Sequence, residues 1–225
     1  MATVLVTGAN RGIGLALCQL FAGRGDRVLA VCRKASPELD GLGGAAEIIP
    51  DVDVTSEEAV MGLGRRLAGR RLEVLVLNAG ILRSDAGISG REFDLAAVEE
   101  QMAVNAIAPL RIARELVGNL AAGGKIALIT SRMGSIADNS SGGYYGYRMS
   151  KAALNAMGMS LARDLADQAI AVTTLHPGFV RTDMTDNGGN VAPKDAARML
   201  VERIDELTVA TTGGFWHANG ERLPW

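Results

Sequence analysis

The chain has little of the chemistry that holds a metal or a disulfide framework: only two cysteines and two histidines occur in 225 residues. Cys18 and Cys32 each lie in an apolar run, and neither stands at a metal-ligand spacing from His176 or His217. Reduced thiols and no metal site are expected. Blocks of like charge are also missing. The 23 basic and 25 acidic residues are scattered and leave a formal charge of -2, which argues against nucleic acid or a membrane surface as partner. No apolar run reaches membrane-spanning length. The opening Met1 to Gly8 has neither a basic leader nor a cleavable apolar segment, so a cytoplasmic protein is expected. There is no internal repeat. With 48% hydrophobic residues, the chain is long enough for one sizeable core and too short for two ordinary domains, so residues 1–225 are expected to form a single domain.

What is present is a regular alternation. Short β-branched runs are placed as strands at Thr3 to Thr7, Arg27 to Cys32, Glu47 to Pro50, Leu72 to Leu77, Lys125 to Thr130, Ile170 to Leu175 and Gly214 to His217. Between them lie expected helices at Gly12 to Gly23, Ser56 to Leu67, Leu95 to Leu120, Tyr147 to Gln168 and Pro193 to Leu207. This pattern predicts an α/β fold, a Rossmann-like doubly wound parallel sheet of about seven strands with helices on both faces. Two connections depart from it. Ser36 to Gly44 is rich in breakers, so the helix there should be short or missing, and the glycine-rich loop from Ser131 to Tyr147 is too polar for the core. Loops at the carboxyl ends of parallel strands are where such sheets bind ligands.

Thr7-Gly8-Ala9-Asn10-Arg11-Gly12-Ile13-Gly14 follows the first apolar strand and opens a helix, the context of a phosphate-binding turn. Gly8 permits the tight turn, Gly12 lets backbone approach a pyrophosphate, and Gly14 allows helix to pack on strand. The spacing is T-G-x-x-x-G-x-G rather than G-x-G-x-x-G. An NAD site usually carries an acid about 20 residues further on. Here the chain reads Val31-Cys32-Arg33-Lys34, so a 2′-phosphate could be met by Arg33, with Arg11 as a second planar donor, and NADP(H) is expected over NAD(H).

Tyr147-Arg148-Met149-Ser150-Lys151 sets a phenol and an ammonium at i and i+4 on one helix face. A nearby Lys charge favours the phenolate, so the tyrosine's pKa is expected to fall toward the working pH, where it serves as general acid and base.

With these residues in place the chain resembles the short-chain dehydrogenase/reductase superfamily. The glycine turn, Asp53-Val54, Asn78-Ala79-Gly80, Asn105, Ser131, Tyr147 with Lys151, and Pro177-Gly178 occur in the family's order. The stretches Thr130 to Asn139, Tyr147 to Asn155 and Gly220 to Trp225 resemble its C-factor and sniffer-like carbonyl reductase branch. The resemblance implies that Tyr147 protonates a carbonyl oxygen, that Lys151 holds the nicotinamide ribose, and that Ser131 polarises the substrate oxygen. It implies that Asn105 anchors a water linking Lys151 to solvent. It further implies cofactor contacts from Gly8, Asn10, Arg11, Gly12, Ile13 and Gly14 in the turn, Asp53 and Val54 at the adenine, Asn78, Ala79 and Gly80 beside the ribose, and Pro177, Gly178, Val180 and Thr182 at the nicotinamide. Ser131 lies farther ahead of Tyr147 than is usual in the family, so Ser135 is an alternative. Ser131 is preferred because a strand end positions a hydroxyl better than a loop does.

The expected activity is an NADPH-dependent transfer of hydride to or from a small carbonyl or alcohol. A dinucleotide-binding regulatory protein, in the manner of C-factor, is the alternative. His176 reads as a packing residue, and Leu223-Pro224-Trp225 as a segment packing under the sheet or on another subunit. The long helices carry enough Ala, Met and Leu to bury more than one face, so a homodimer or homotetramer is expected.

Overall fold

The run after the amino terminus sets the frame. In the computed structural model, whose described residues are all but Ala86 and 89–92, Thr3–Thr7 forms β1, with Val4 and Val6 in one apolar layer and Leu5 in the other. The remaining strands are β2 (Arg27–Val31), β3 (Ala46–Ile49), β4 (Leu72–Leu77), β5 (Leu120–Ile129), β6 (Ala171–His176) and β7 (Gly214–His217). They form one seven-stranded sheet in the order β3-β2-β1-β4-β5-β6-β7, and every pairing is parallel. The order reverses between β1 and β4, which opens a crevice at the carboxyl edge of the sheet where ligands bind in folds of this kind.

The helices are α1 (Gly12–Gly23), α2 (Pro37–Asp40), α3 (Glu57–Arg66), α4 (Leu95–Met102), α5 (Ala108–Leu116), α6 (Tyr145–Asp164) and α7 (Pro193–Glu206). One sheet face buries Leu17 and Phe21 of α1 with Leu200 and Ile204 of α7. The other buries Leu63 of α3, Ile112 and Leu116 of α5, and Leu154 of α6. Period-two alternation in the strands feeds both layers, because each strand lies between them. Among the described residues no helix is long and apolar enough to cross a membrane.

The short α2 agrees with the breaker-rich segment. The helix expected from Leu95 to Leu120 is instead α4, a π turn at Ala103–Ile107, α5, and a 3-10 turn at Val117–Asn119, with Leu120 already in β5. Asn119 stops it, its Nδ2 donating to the carbonyls of Leu67 and Arg70 at 2.7 and 2.8 Å. β5 starts before the expected Lys125, since Leu72 pairs with Leu120 ahead of a register shift and Gly123, at φ +81, absorbs the extra length. α6 begins two residues ahead of Tyr147 and ends at Asp164, where the chain tightens into a 3-10 turn at Ala166–Gln168. β1, β4 and β7 keep their expected limits, and those of β2, β3 and β6 move by one residue.

Candidate active site

The glycine turn is held from β4. Thr7 Oγ1 accepts from the amides of Asn78 and Ala79 at 3.0 and 3.1 Å, and Asn78 Nδ2 donates to the Thr7 carbonyl at 2.9 Å. Gly8 and Gly12 have φ of +66 and +55, the left-handed region that favours glycine. A Cβ on Gly14 would overlap the Gly8 carbonyl oxygen, so α1 approaches the turn as closely as backbone allows. Side chains of Ser36, Ser56 and Asp94 cap α2, α3 and α4, whereas α1 has no side-chain cap and no acid in its first turn. Opposite Gly12 stands Thr182, whose Cγ2 would lie 3.3 Å from a Cβ there. Asn10, Arg11, Gly12 and Ile13 thus border a cradle of free helix amides, and the residues fit a pyrophosphate.

At the carboxyl ends of β2 and β3 the structure brings Arg33 and Asp53 together. Both are exposed. Asp53 Oδ1 accepts from the Thr55 amide at 2.9 Å and hydroxyl at 2.7 Å, and these bonds, helped by the Arg33 charge, hold the carboxyl below its ordinary range. Val54 follows, half-buried against the apolar layer of α3 and α5. Arg11 is not gathered here: its Nη1 pairs with Asp183 at 2.9 Å, with both side chains more than 60% exposed. The carboxylate across the crevice is the first partner that this guanidinium meets.

The acid-base group stands at the carboxyl end of β5. Ser131 leaves the strand and starts the 3-10 turn Arg132–Gly134, its Oγ accepting from the Met133 amide at 3.2 Å, so its proton is free to be donated elsewhere. Gly134 is pressed on α6, since a Cβ would lie 2.8 Å from the Lys151 carbonyl carbon, which accounts for the S-x-x-G pattern. Lys151 is 4% exposed. Its Nζ donates to the Ile129 carbonyl at 3.0 Å and sits 5.7 Å from the centre of the Tyr147 ring.

The acidity of the phenol departs from expectation. Burial pushes Tyr147 up to about 12, and the Ser131 hydroxyl opposes the rise. Burial pushes Lys151 down to about 8. Desolvation dominates both shifts because the charged form of each group has lost water. A protonated phenol at neutral pH is the form that donates.

Asn105 is fully buried in the π turn. Its side chain accepts from the Ile81 amide at 2.8 Å and donates to the Ile81 carbonyl and to Ser150 Oγ. These bonds fix the segment just after β4 around Gly80, where a Cβ would lie 3.5 Å from Lys151 Nζ. Pro177 and Gly178 follow β6, and Val180 bridges to Val191 beyond them. Ser135 is engaged elsewhere: its Oγ donates to the Trp225 carbonyl at 3.2 Å and accepts from the Asp138 amide at 3.1 Å. Trp225 stacks on Phe215 of the same chain. His176 packs edge-on against His217 at 4.9 Å, and burial drives its imidazole down to about 3, too low for a base.

Sequence reasoning gave no individual role to Thr7, Ser150, Asp183 or Asp85. Each has a partner more than 40 residues away, a separation no local pattern reports. Thr7 at least sits inside the glycine motif, and that position was its signal. From the sequence, a substrate pocket is expected to be lined by the loop Ser131 to Gly146, the segment Ile81 to Phe93 and the stretch Thr182 to Asn190; of the second, Ala86 and 89–92 lie outside the described residues.

A doubly wound sheet with an open glycine turn and a tyrosine, lysine and serine on the same edge defines a nicotinamide-dependent oxidoreductase acting on CH-OH and C=O groups. The chain belongs to the short chain dehydrogenase family, whose model matches residues 2–190. Among curated relatives it is 39% identical over 231 residues to the 1-hydroxy-2-glutathionyl-2-methyl-3-butene dehydrogenase of Rhodococcus sp. (strain AD45), with both chains covered in full. It is 37% identical over 152 residues to the C-signal of Myxococcus xanthus, covering 64% of this chain and 92% of that one. Among solved structures it resembles the carbonyl reductase Sniffer of D. melanogaster, with a TM-score of 0.92 at 28% identity and full coverage of both chains. The NADPH-bound carbonyl reductase from chicken fatty liver follows at TM-score 0.88 and 30% identity, covering 100% of this chain and 99% of that one.

Proposed function

We propose that the chain is a cytoplasmic, NADPH-dependent reductase of aldehydes or ketones, running in either direction as supply dictates. The observation that carries this reading is the buried Tyr147 phenol beside the Ser131 hydroxyl and Lys151, on the sheet edge that also bears the uncapped turn. The reduced nicotinamide, when bound, supplies the hydride. Tyr147 then donates its proton to the substrate oxygen, Ser131 hydrogen-bonds that oxygen as charge develops, and Lys151 orients the ribose and returns the proton to the phenol. The turn from Gly8 to Gly14 holds the pyrophosphate, Asp53 and Val54 the adenine, Asn78, Ala79 and Gly80 the adenosine ribose, and Pro177, Gly178, Val180 and Thr182 the nicotinamide.

NADPH is favoured over NADH because Arg33 stands where an NAD site carries an acid, and because a relative in structure was solved with NADPH. Arg11 adds to this once a phosphate competes with Asp183, as an exposed pair is held by about 1 kcal/mol or less. Exposed Ile136, Phe179 and Met184, on the loops after β5 and β6, suit a substrate with an apolar body. Leu95, Ile107 and Leu110, each about half exposed on α4 and its continuation, support a homodimer or homotetramer.

The test is NADPH fluorescence with added protein, then consumption at about 340 nm, the reduced nicotinamide band, against a carbonyl panel. Tyr147→Phe should abolish turnover and spare NADPH binding. Equal loss of both would make the residue structural. Tight binding with no turnover by the unaltered chain would favour a regulatory role, as the likeness to C-signal suggests.

A further inference from the structure

The helix that carries Tyr147 and Lys151 has no N-terminal cap of its own. Tyr144, just ahead of it, is in the left-handed region at φ 52 and offers no side chain to the first-turn amides. The cap comes from 61 residues earlier: Asp85, 2% exposed, brings Oδ2 to 2.7 Å from the Gly146 amide. Gly146 immediately precedes Tyr147 and is wedged on α4, where a Cβ would lie 2.8 Å from Val98 Cα.

Asp85 ends a strap, residues 81–85, in the connection from β4 to α4. Asn105 holds its start through Ile81, Gln101 Oε1 accepts from the Arg83 amide at 3.0 Å, and the Asp85 carbonyl accepts from the Asp94 amide at 3.3 Å. The carboxylate therefore bonds the positive end of α6 with a charge-assisted contact of fixed length, from the segment that would line the substrate.

We propose that Asp85 is a positioning residue for carbonyl reduction: it ties the strap to the first turn of α6 and so sets where the Tyr147 phenol stands. This rests on the reading of Tyr147 as proton donor. Asp85 touches no reacting atom. Its effect is geometric, because an amide held one residue before the tyrosine fixes the helix start from which that side chain projects.

The test compares Asp85→Ala with Asp85→Asn in the full chain, as the carboxamide keeps an acceptor at the same reach. In D85A, kcat should fall on the order of 10- to 100-fold while NADPH affinity changes by less than about twofold. D85N should restore most of kcat. In parallel, hydrogen exchange should show the Gly146 amide losing protection in D85A and keeping it in D85N. An unchanged kcat in D85A, or equal losses in both variants, overturns the proposal. Should D85A not fold, Asp85→Glu replaces it: the longer carboxylate displaces the helix start and lowers kcat below that of D85N, and the reverse order refutes the geometric role. Should the unaltered chain reduce no carbonyl, the Tyr147 reading fails on its own. Exchange then still decides whether Asp85 holds the turn, and unchanged protection in D85A sinks that claim.

Discussion

Replacing Lys151 with methionine should make the protein more stable and inactive at once. The amine is 4% exposed, and burial alone brings its pKa from 10.5 to about 8, a bias of about 3 kcal/mol against the charged form in the folded state. Methionine removes that bias at similar volume. It also leaves the Ile129 carbonyl without its 3.0 Å donor, which costs about 1 kcal/mol. The net gain at pH 7 is about 2 kcal/mol, or a rise in Tm of roughly 4 to 8 °C for a chain of this size. Between pH 8 and 10.5 the unfolded lysine binds a proton that the folded one has lost. Wild-type stability therefore rises with pH through that window, and the advantage of the variant, full below pH 8, fades toward 10.5. Tyr147 has the opposite sign and does not blur the window. Its folded pKa of about 12 lies above the ordinary 10.0, so it lowers stability only above pH 10. Urea denaturation at pH 7 and 9.5, with turnover measured alongside, reads all three quantities. A variant less stable at pH 7, or an advantage that grows with pH, would refute the view that burial strains this amine.

Two further outcomes follow from the site. Arg33→Asp removes a charge-assisted contact and places an anion beside the 2′-phosphate, so the NADP-to-NAD affinity ratio should fall about 10- to 100-fold by fluorescence titration; an unchanged ratio would move the selectivity elsewhere. Ser131→Ala should lower kcat by about 100- to 1000-fold with NADPH affinity kept, whereas Ser135→Ala, which loosens Trp225 and Asp138, should cost about 1 kcal/mol of stability and spare turnover; the opposite pattern would exchange their roles.

The strands and the glycine turn were legible because their signals are local: short β-branched runs such as Val4 to Val6, and three glycines in register with a helix start. Tyr147 and Lys151 were legible for the same reason, four residues apart on one helix. Ser131 and Ser135 could be ranked but not separated, because the bond that engages Ser135 reaches Trp225, 90 residues away. The shift of the phenol was misjudged, since adjacency to lysine is visible in sequence and the depth of burial is not. The helix from Leu95 was drawn as one regular helix because apolar periodicity carries through the π turn and gives no sign of the 3-10 turn that ends at Asn119.

That π turn at Ala103–Ile107 makes the stretch sensitive to residue count more than to residue identity. It winds in one position beyond what regular helix would hold, so α5 leaves it rotated by about 100°. Deleting a single codon here would restore smooth winding and swing Ile112 and Leu116 off their layer, or else turn Asn105 from Ile81 and Ser150. Point changes can be absorbed by repacking, but a lost residue has no local remedy. Functional relatives should therefore align through this segment without gaps even where hardly a side chain is shared.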